Sequence, residues 1–156
     1  MQTTTNTQNT DNQLHPVVLK ILEKRGFNNE DLNQYFSIDL KNIPDLTQLK
    51  DLDKASDRIV EAIEKNQKIG IFGDYDVDGT TSCAVFHHFF QMLGIEIELM
   101  QPSRFIEGYG IHPPSVNTAK EKGIEVLITV DCGITNNEAA DCAKEIGIDL
   151  IITDHH

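Results

Sequence analysis

The stretch Gly73–Ser82, GDYDVDGTTS, limits what this chain can fold into more than any other. Asp74, Asp76 and Asp78 alternate within it. The apolar run Ile69–Phe72 leads in, and a glycine with three hydroxyl residues leads out into an apolar helical pattern. Carboxylates this close repel one another, and in a packed site that repulsion needs a positive charge to offset it. A divalent cation is the simplest such charge. A calcium loop of the EF-hand kind is one self-contained solution, with Asp74 at its first position. The twelfth position, however, holds Val85 instead of a bidentate glutamate, and a strand precedes the loop where a helix should be. Other readings of single pieces are blander. An acid-rich loop can merely cap a helix N-terminus, Asp131 before Cys132-Gly133 can be a turn residue, and Arg104 can be a solvated loop residue.

The rest of the chain narrows the choice. With 156 residues there is enough for one domain with a real core. No apolar run approaches the roughly 20 residues of a membrane helix, and the polar start MQTTTNTQNTDNQ has no signal-peptide pattern. Residues 1–13 read as a disordered polar tail, and the whole as a cytoplasmic protein. Three cysteines without CxxC spacing argue for reduced thiols and against a zinc site built on sulfur. The net charge of −12 is the wrong sign for a broad nucleic-acid surface. Bound divalent metals would reverse the sign locally, and any broad DNA contact would have to use a basic surface that this chain does not show.

Taken in order, residues 14–66 read as a small helical region. Its pieces are a helix over Leu14–Arg25, a short helical piece over Asn29–Phe36, a connecting segment over Ile43–Leu52, and a helix over Asp51–Asn66 with Leu52, Ala55, Ile59, Ala62 and Ile63 on its apolar side. After Asn66 the pattern changes. Strands are expected over Lys68–Phe72, Ile95–Met100, Val126–Val130 and Ile148–Thr153. Helices are expected over Thr80–Leu93 (Ala84, Phe86, Phe90 and Leu93 inward), Pro114–Lys122 and Thr135–Ile146. The last of these would open on a Thr135–Glu138 capping box and close at Gly147. Adjacent His87 and His88 cannot share a helix face and read as structural. Strands separated by single helices predict an α/β fold, a parallel sheet with helices on both faces. Coverage of both faces explains why VLITV and LIIT are apolar throughout.

The polar residues fall at strand ends. Asp74, Asp76 and Asp78 follow the first strand, Asp131 the third, and Asp154, His155 and His156 the fourth. A parallel sheet gathers its carboxyl ends along one edge, where ligands bind. Carboxylate and imidazole without thiolate suit Mn²⁺ or Mg²⁺ better than Zn²⁺. The number of acids suggests two ions sharing a bridging carboxylate, the arrangement used for phosphoester hydrolysis.

GDYDVDGTTS, TVDCGIT and ITDHH together resemble the first three motifs of the DHH phosphoesterase superfamily. The lead-in LHPVVLKILEKRGF, the helix DLDKASDRIVEAI and the loop PSRFIEGYG resemble its RecJ branch of single-strand-specific DNA exonucleases. The resemblance makes residues 67–156 a DHH domain. It implies that Asp76 and Asp78 bind metal with Asp74 beside them, that Asp131 bridges two ions, and that His155 is a further ligand. It places His156 near the scissile phosphate, Asp154 behind the histidines orienting them, and Arg104 on a substrate phosphate. It implies Mn²⁺ or Mg²⁺ as cofactor and hydrolysis of single-stranded DNA from 5′ to 3′ into 5′-mononucleotides, in DNA repair or recombination.

The family also has a fourth aspartate motif, a C-terminal DHHA1-type domain and an oligonucleotide-binding fold, which lie past the DHH triplet. On this reading the chain is an N-terminal fragment with little nuclease activity of its own, whose partners are those domains and single-stranded DNA, with no membrane. Two alternatives stand beside it. One is a phosphodiesterase of short oligonucleotides or cyclic dinucleotides, or a pyrophosphatase, from the same superfamily. The other is a non-catalytic metal-binding fragment.

Overall fold

The computed structural model describes residues 14–27, 36, 43, 45–103 and 108–156. The expected tail and most of the helical piece over Asn29–Phe36 lie outside them. The chain divides into two compact units, Met1–Gln48 and Leu49–His156.

In the first unit, helix α1 spans Pro16–Lys24. Pro16 sits at its start, where a missing N–H costs nothing, and the His15 side chain accepts from the Val17 N–H at 3.3 Å. Gly26 follows in the left-handed conformation, φ 84°, and stops the helix. The segment expected to be only a connection contains a short 3₁₀ turn, Leu46–Gln48.

The second unit begins with α2, Leu52–Glu64, and then alternates strand and helix: β1 Ile69–Gly73, α3 Val77–Met92, β2 Glu98–Met100, α4 Pro113–Glu121, β3 Val126–Val130, α5 Asn137–Ile146, β4 Asp149–Thr153. All strand pairs are parallel, in the order β2-β1-β3-β4. Strand alternation divides the core in two. Ile69 and Ile71 of β1 with Val126, Ile128 and Val130 of β3 pack against Ala62 of α2 and Cys83 and Phe90 of α3. Phe72 and Leu127 point the other way, onto Val116 and Ala119 of α4 and Ala139 and Ala143 of α5. Each large apolar side chain so buried contributes about 1.5–3 kcal/mol relative to exposure. Every residue of β1 and β3 is buried, as a two-sided parallel sheet requires.

Three expectations are corrected. Helix α3 begins three residues before Thr80, because Asp76 caps it: its Oδ1 accepts from the Gly79 N–H at 2.9 Å. It buries Gly79, Cys83 and Phe90, while Ala84 and Leu93 are exposed. Strand β2 is only the second half of Ile95–Met100. Gly94 at φ 71° and the Ile95 N–H to Phe90 O bond at 2.9 Å spend the first residue on closing α3. The Thr135–Glu138 capping box does not form. Gly133, at φ 114°, turns the chain, and α5 starts at Asn137 without a side-chain cap.

Candidate metal centre

Strand register builds the site. Val130 pairs with Thr153, and the Asp131 N–H extends that ladder by donating to Thr153 O at 2.9 Å. The residues immediately beyond, Asp131 on one strand and Asp154 on the next, therefore emerge side by side. Asp131 has φ 61°, a left-handed conformation in which Asp is one of the tolerated residues. It is thus both the turn residue and the site residue. On the other side of β3, strand β1 ends beside it and delivers Asp74.

Among the described residues, Asp131, His155 and His156 form a group able to hold a metal ion, one ligand atom from each lying within 4.8 Å of the others. Asp131 is 7% exposed and Asp74 1%. All four of their carboxylate oxygens are buried; those of Asp74 have no hydrogen-bond partner, and Asp131 Oδ1 has His155 Nε2 at 2.8 Å. Burial raises the Asp131 pKa, and the neighbouring Asp76 raises it further against the pull of His155. Buried carboxylates with no donors are costly.

Asp154 is in the opposite condition. Its side chain is 2% exposed, yet it accepts from the backbone N–H of Ile134 (3.0 Å), His155 (2.7 Å) and His156 (3.1 Å). His156 Nδ1 adds a fourth contact at 2.7 Å. Burial alone would raise its pKa, but these donors outweigh burial and hold it at about 2. The carboxylate in turn raises the pKa of His156. The two imidazoles stack with centroids 4.5 Å apart. Asp154 thus fixes the backbone of both histidines and, through Nδ1, the ring of His156.

Tyr109, in the loop between β2 and α4, was not singled out by sequence reasoning. Its hydroxyl donates to the Asp131 carbonyl at 3.1 Å and lies 3.0 and 3.2 Å from the two ring nitrogens of His156. Burial and the charges of Asp154, Asp131 and Asp74 push its pKa to about 12. Burial and the same three carboxylates push the Cys132 thiol to about 12.

The three aspartates of the first motif part company. Asp74 is buried, Asp76 caps α3 while pressing its charge on Asp131, and Asp78 lies exposed in the first helical turn. Gly79 was also passed over. A Cβ there would stand 2.4 Å from Asp74 O and 2.6 Å from Asp74 N, so only glycine lets α3 start against the Asp74 backbone. Gln101 Nε2 reaches the same Asp74 carbonyl at 3.3 Å. Arg104 lies outside the described residues. His87 and His88 are exposed on α3.

The donor set is oxygen and imidazole nitrogen, and the buried Asp74 oxygens lack any donor. Mn²⁺ or Mg²⁺ fits those residues better than a thiophilic metal. Residues 68–156 match the family model of the DHH family, N-terminal domain. The chain belongs to the DHH family. Within it the chain is RecJ-like. It is 42% identical over 147 residues to the single-stranded-DNA-specific exonuclease RecJ of Bacillus subtilis, covering 92% of this chain and 19% of that protein. It is 32% identical over 145 residues to RecJ of Escherichia coli, covering 92% and 25%. The crystal structure of exonuclease RecJ bound to manganese superposes with a TM-score of 0.63 at 36% identity, over 69% of this chain and 28% of that one. RecJ in complex with Mn²⁺ from Thermus thermophilus gives 0.60 at 31%, over 72% and 16%. This DHH-family chain thus spans about a quarter or less of the curated relatives' length.

Proposed function

We propose that this chain builds the metal centre of a single-strand-specific DNA exonuclease of the RecJ kind. The observation that carries the reading is the pair of buried carboxylates, Asp74 without a donor and Asp131 with His155 Nε2 at 2.8 Å, set beside His156, whose ring a third carboxylate holds. Asp76, Asp78, Asp131 and His155 would hold two divalent ions, with Asp74 adding charge alongside. His156, steered by Asp154, faces the scissile phosphate, and Arg104 binds a phosphate of the strand. Bound Mn²⁺ or Mg²⁺ would supply a water ionised near neutral pH and offset the charge of the phosphate. The net charge of −12 makes the ions the main attraction for a polyanion, so affinity for the strand would concentrate at the centre itself. The products we propose are 5′-mononucleotides, released from the 5′ end.

The test has two arms. Mn²⁺ is titrated into the chain and into its Asp131→Ala, Asp76→Ala and His155→Ala variants. Each variant should bind at least ~10-fold more weakly, and unchanged binding would remove the assigned ligands. End-labelled single strands and dinucleotides are then offered with Mn²⁺ to a full-length RecJ-like protein that contains this chain, since the chain by itself is expected to have little nuclease activity. Hydrolysis that starts at the 5′ end of the long strand and vanishes in Asp131→Ala supports the reading. Preference for dinucleotides overturns it in favour of a short-oligonucleotide phosphodiesterase.

A further inference from the structure

We infer that Tyr109 is a positioning residue of the centre, its hydroxyl fixing the His156 ring and the turn at Asp131 together. The inference rests on the metal-centre reading above for its purpose, but not for its geometry.

His156 lies past the end of β4, beyond the last paired residue of the sheet. Asp154 holds one ring nitrogen, Nδ1, but a single hydrogen bond leaves the ring free to swing about it. Tyr109 supplies the second restraint. Its hydroxyl oxygen sits between the two ring nitrogens, and its ring meets the imidazole edge-on, with centroids 5.5 Å apart and planes at 81°. The hydroxyl proton is not spent on the imidazole in this arrangement. It goes to the Asp131 carbonyl, and the hydroxyl oxygen rests against the imidazole between its two nitrogens.

That carbonyl belongs to a residue whose φ of 61° is held by its surroundings. One hydroxyl therefore ties two elements whose relative placement sets the site: the turn after β3 and the histidines after β4. It does so from a third element, the β2–α4 loop. In sequence that loop also carries Arg104, to which the proposed function gives a phosphate. The phenol thus ties the loop with the proposed phosphate contact to the centre that would cleave the phosphodiester.

The experiment uses the metal-free chain, with chelator present, so that it does not depend on any ion. Tyr109→Phe removes the hydroxyl and keeps the ring, so mere packing of the loop is preserved while both hydrogen bonds are lost. Long-range ¹H–¹⁵N spectra report the tautomer and environment of each histidine. Expected is a shift of the His156 ring signals, with His87, His88 and His15 unmoved and the circular dichroism unchanged. His156 signals identical in wild type and Tyr109→Phe would overturn the inference. Should the variant fold poorly, nuclear Overhauser contacts between the rings of Tyr109 and His156 in the wild-type chain decide instead, and their absence overturns it. Mn²⁺ affinity is read separately by the electron paramagnetic resonance of the free ion, and a loss of about 10-fold is expected for Tyr109→Phe. A wild-type chain that binds no Mn²⁺ but shows the His156 shift would sink the metal-centre reading and leave the positioning role standing.

Discussion

Replacing Asp154 by asparagine should destabilise the metal-free chain in a strongly pH-dependent way. The wild-type carboxylate is 2% exposed and takes four donors, at 2.7, 2.7, 3.0 and 3.1 Å. Its pKa falls from 3.8 to about 2, a difference on the order of 2 kcal/mol at neutral pH. The amide would also turn an –NH₂ group towards donors, leaving at least one of them unsatisfied at about 1–3 kcal/mol. The expected total is about 3–5 kcal/mol. Because folding lowers the Asp154 pKa, its share is complete above about 3.8 and fades as pH falls through about 2. Folding raises the His156 pKa, so the imidazole's share is complete below about 6.5 and is lost as pH climbs through the raised value. The variant should therefore be weakest relative to wild type between about pH 4 and 6.5, with the gap narrowing by about 2 kcal/mol towards pH 2. The chain has no tryptophan, so urea unfolding followed by far-ultraviolet circular dichroism is the suitable assay. A loss under about 0.5 kcal/mol near pH 5, or a gap that stays constant down to pH 2, would refute the argument.

Asp131→Asn should raise the melting temperature of the metal-free chain, because it removes a buried charge whose pKa is already raised, and Asn accepts the left-handed backbone. The same variant should lose the stabilisation that saturating Mn²⁺ gives wild type, about 2.7 kcal/mol at a hundredfold excess over Kd; calorimetric scans with and without Mn²⁺ check both. Gly79→Ala should cost about 3 kcal/mol, since the clashing Asp74 atoms are backbone and cannot swing aside, whereas Gly94→Ala, with open space around it at φ 71°, should cost about 1–2 kcal/mol. Comparative urea melts test that ordering, and an equal cost would show that the contact at Gly79 relaxes. Asp76→Ser should keep the α3 cap and so hold stability within about 0.5 kcal/mol, while Mn²⁺ binding drops; retained binding in a titration would exclude Asp76 as a ligand.

What the sequence told in advance depended on how local its cause was. β3 was legible to the residue, because a strand buried on both faces must be apolar without interruption between polar ends. The convergence of Asp74, Asp131 and Asp154 was legible for a topological reason, since parallel strands share one edge. Capping was less so. Asp76 was taken as one of three loop acids, although the same oxygen pattern at a helix start also reads as a cap, and the local hydrogen bond decided where α3 begins. The Thr135–Glu138 pattern failed for the complementary reason: Gly133 redirected the chain before the box could close. Tyr109 left no trace in spacing or periodicity. Its partner His156 lies 47 positions away, and only the folded sheet brings them together.

The pairing of Val130 with Thr153 has a consequence for the order of assembly. Before β4 docks, β1, α3 and β3 already gather acids, but no imidazole faces them. A slip of one position along β3 would turn every β4 side chain to the opposite layer and carry Asp154 away from the Ile134 amide. On the proposed metal assignment, tight ion uptake would need the sheet closed in register, so a kinetic trace of Mn²⁺ capture would report the docking of β4.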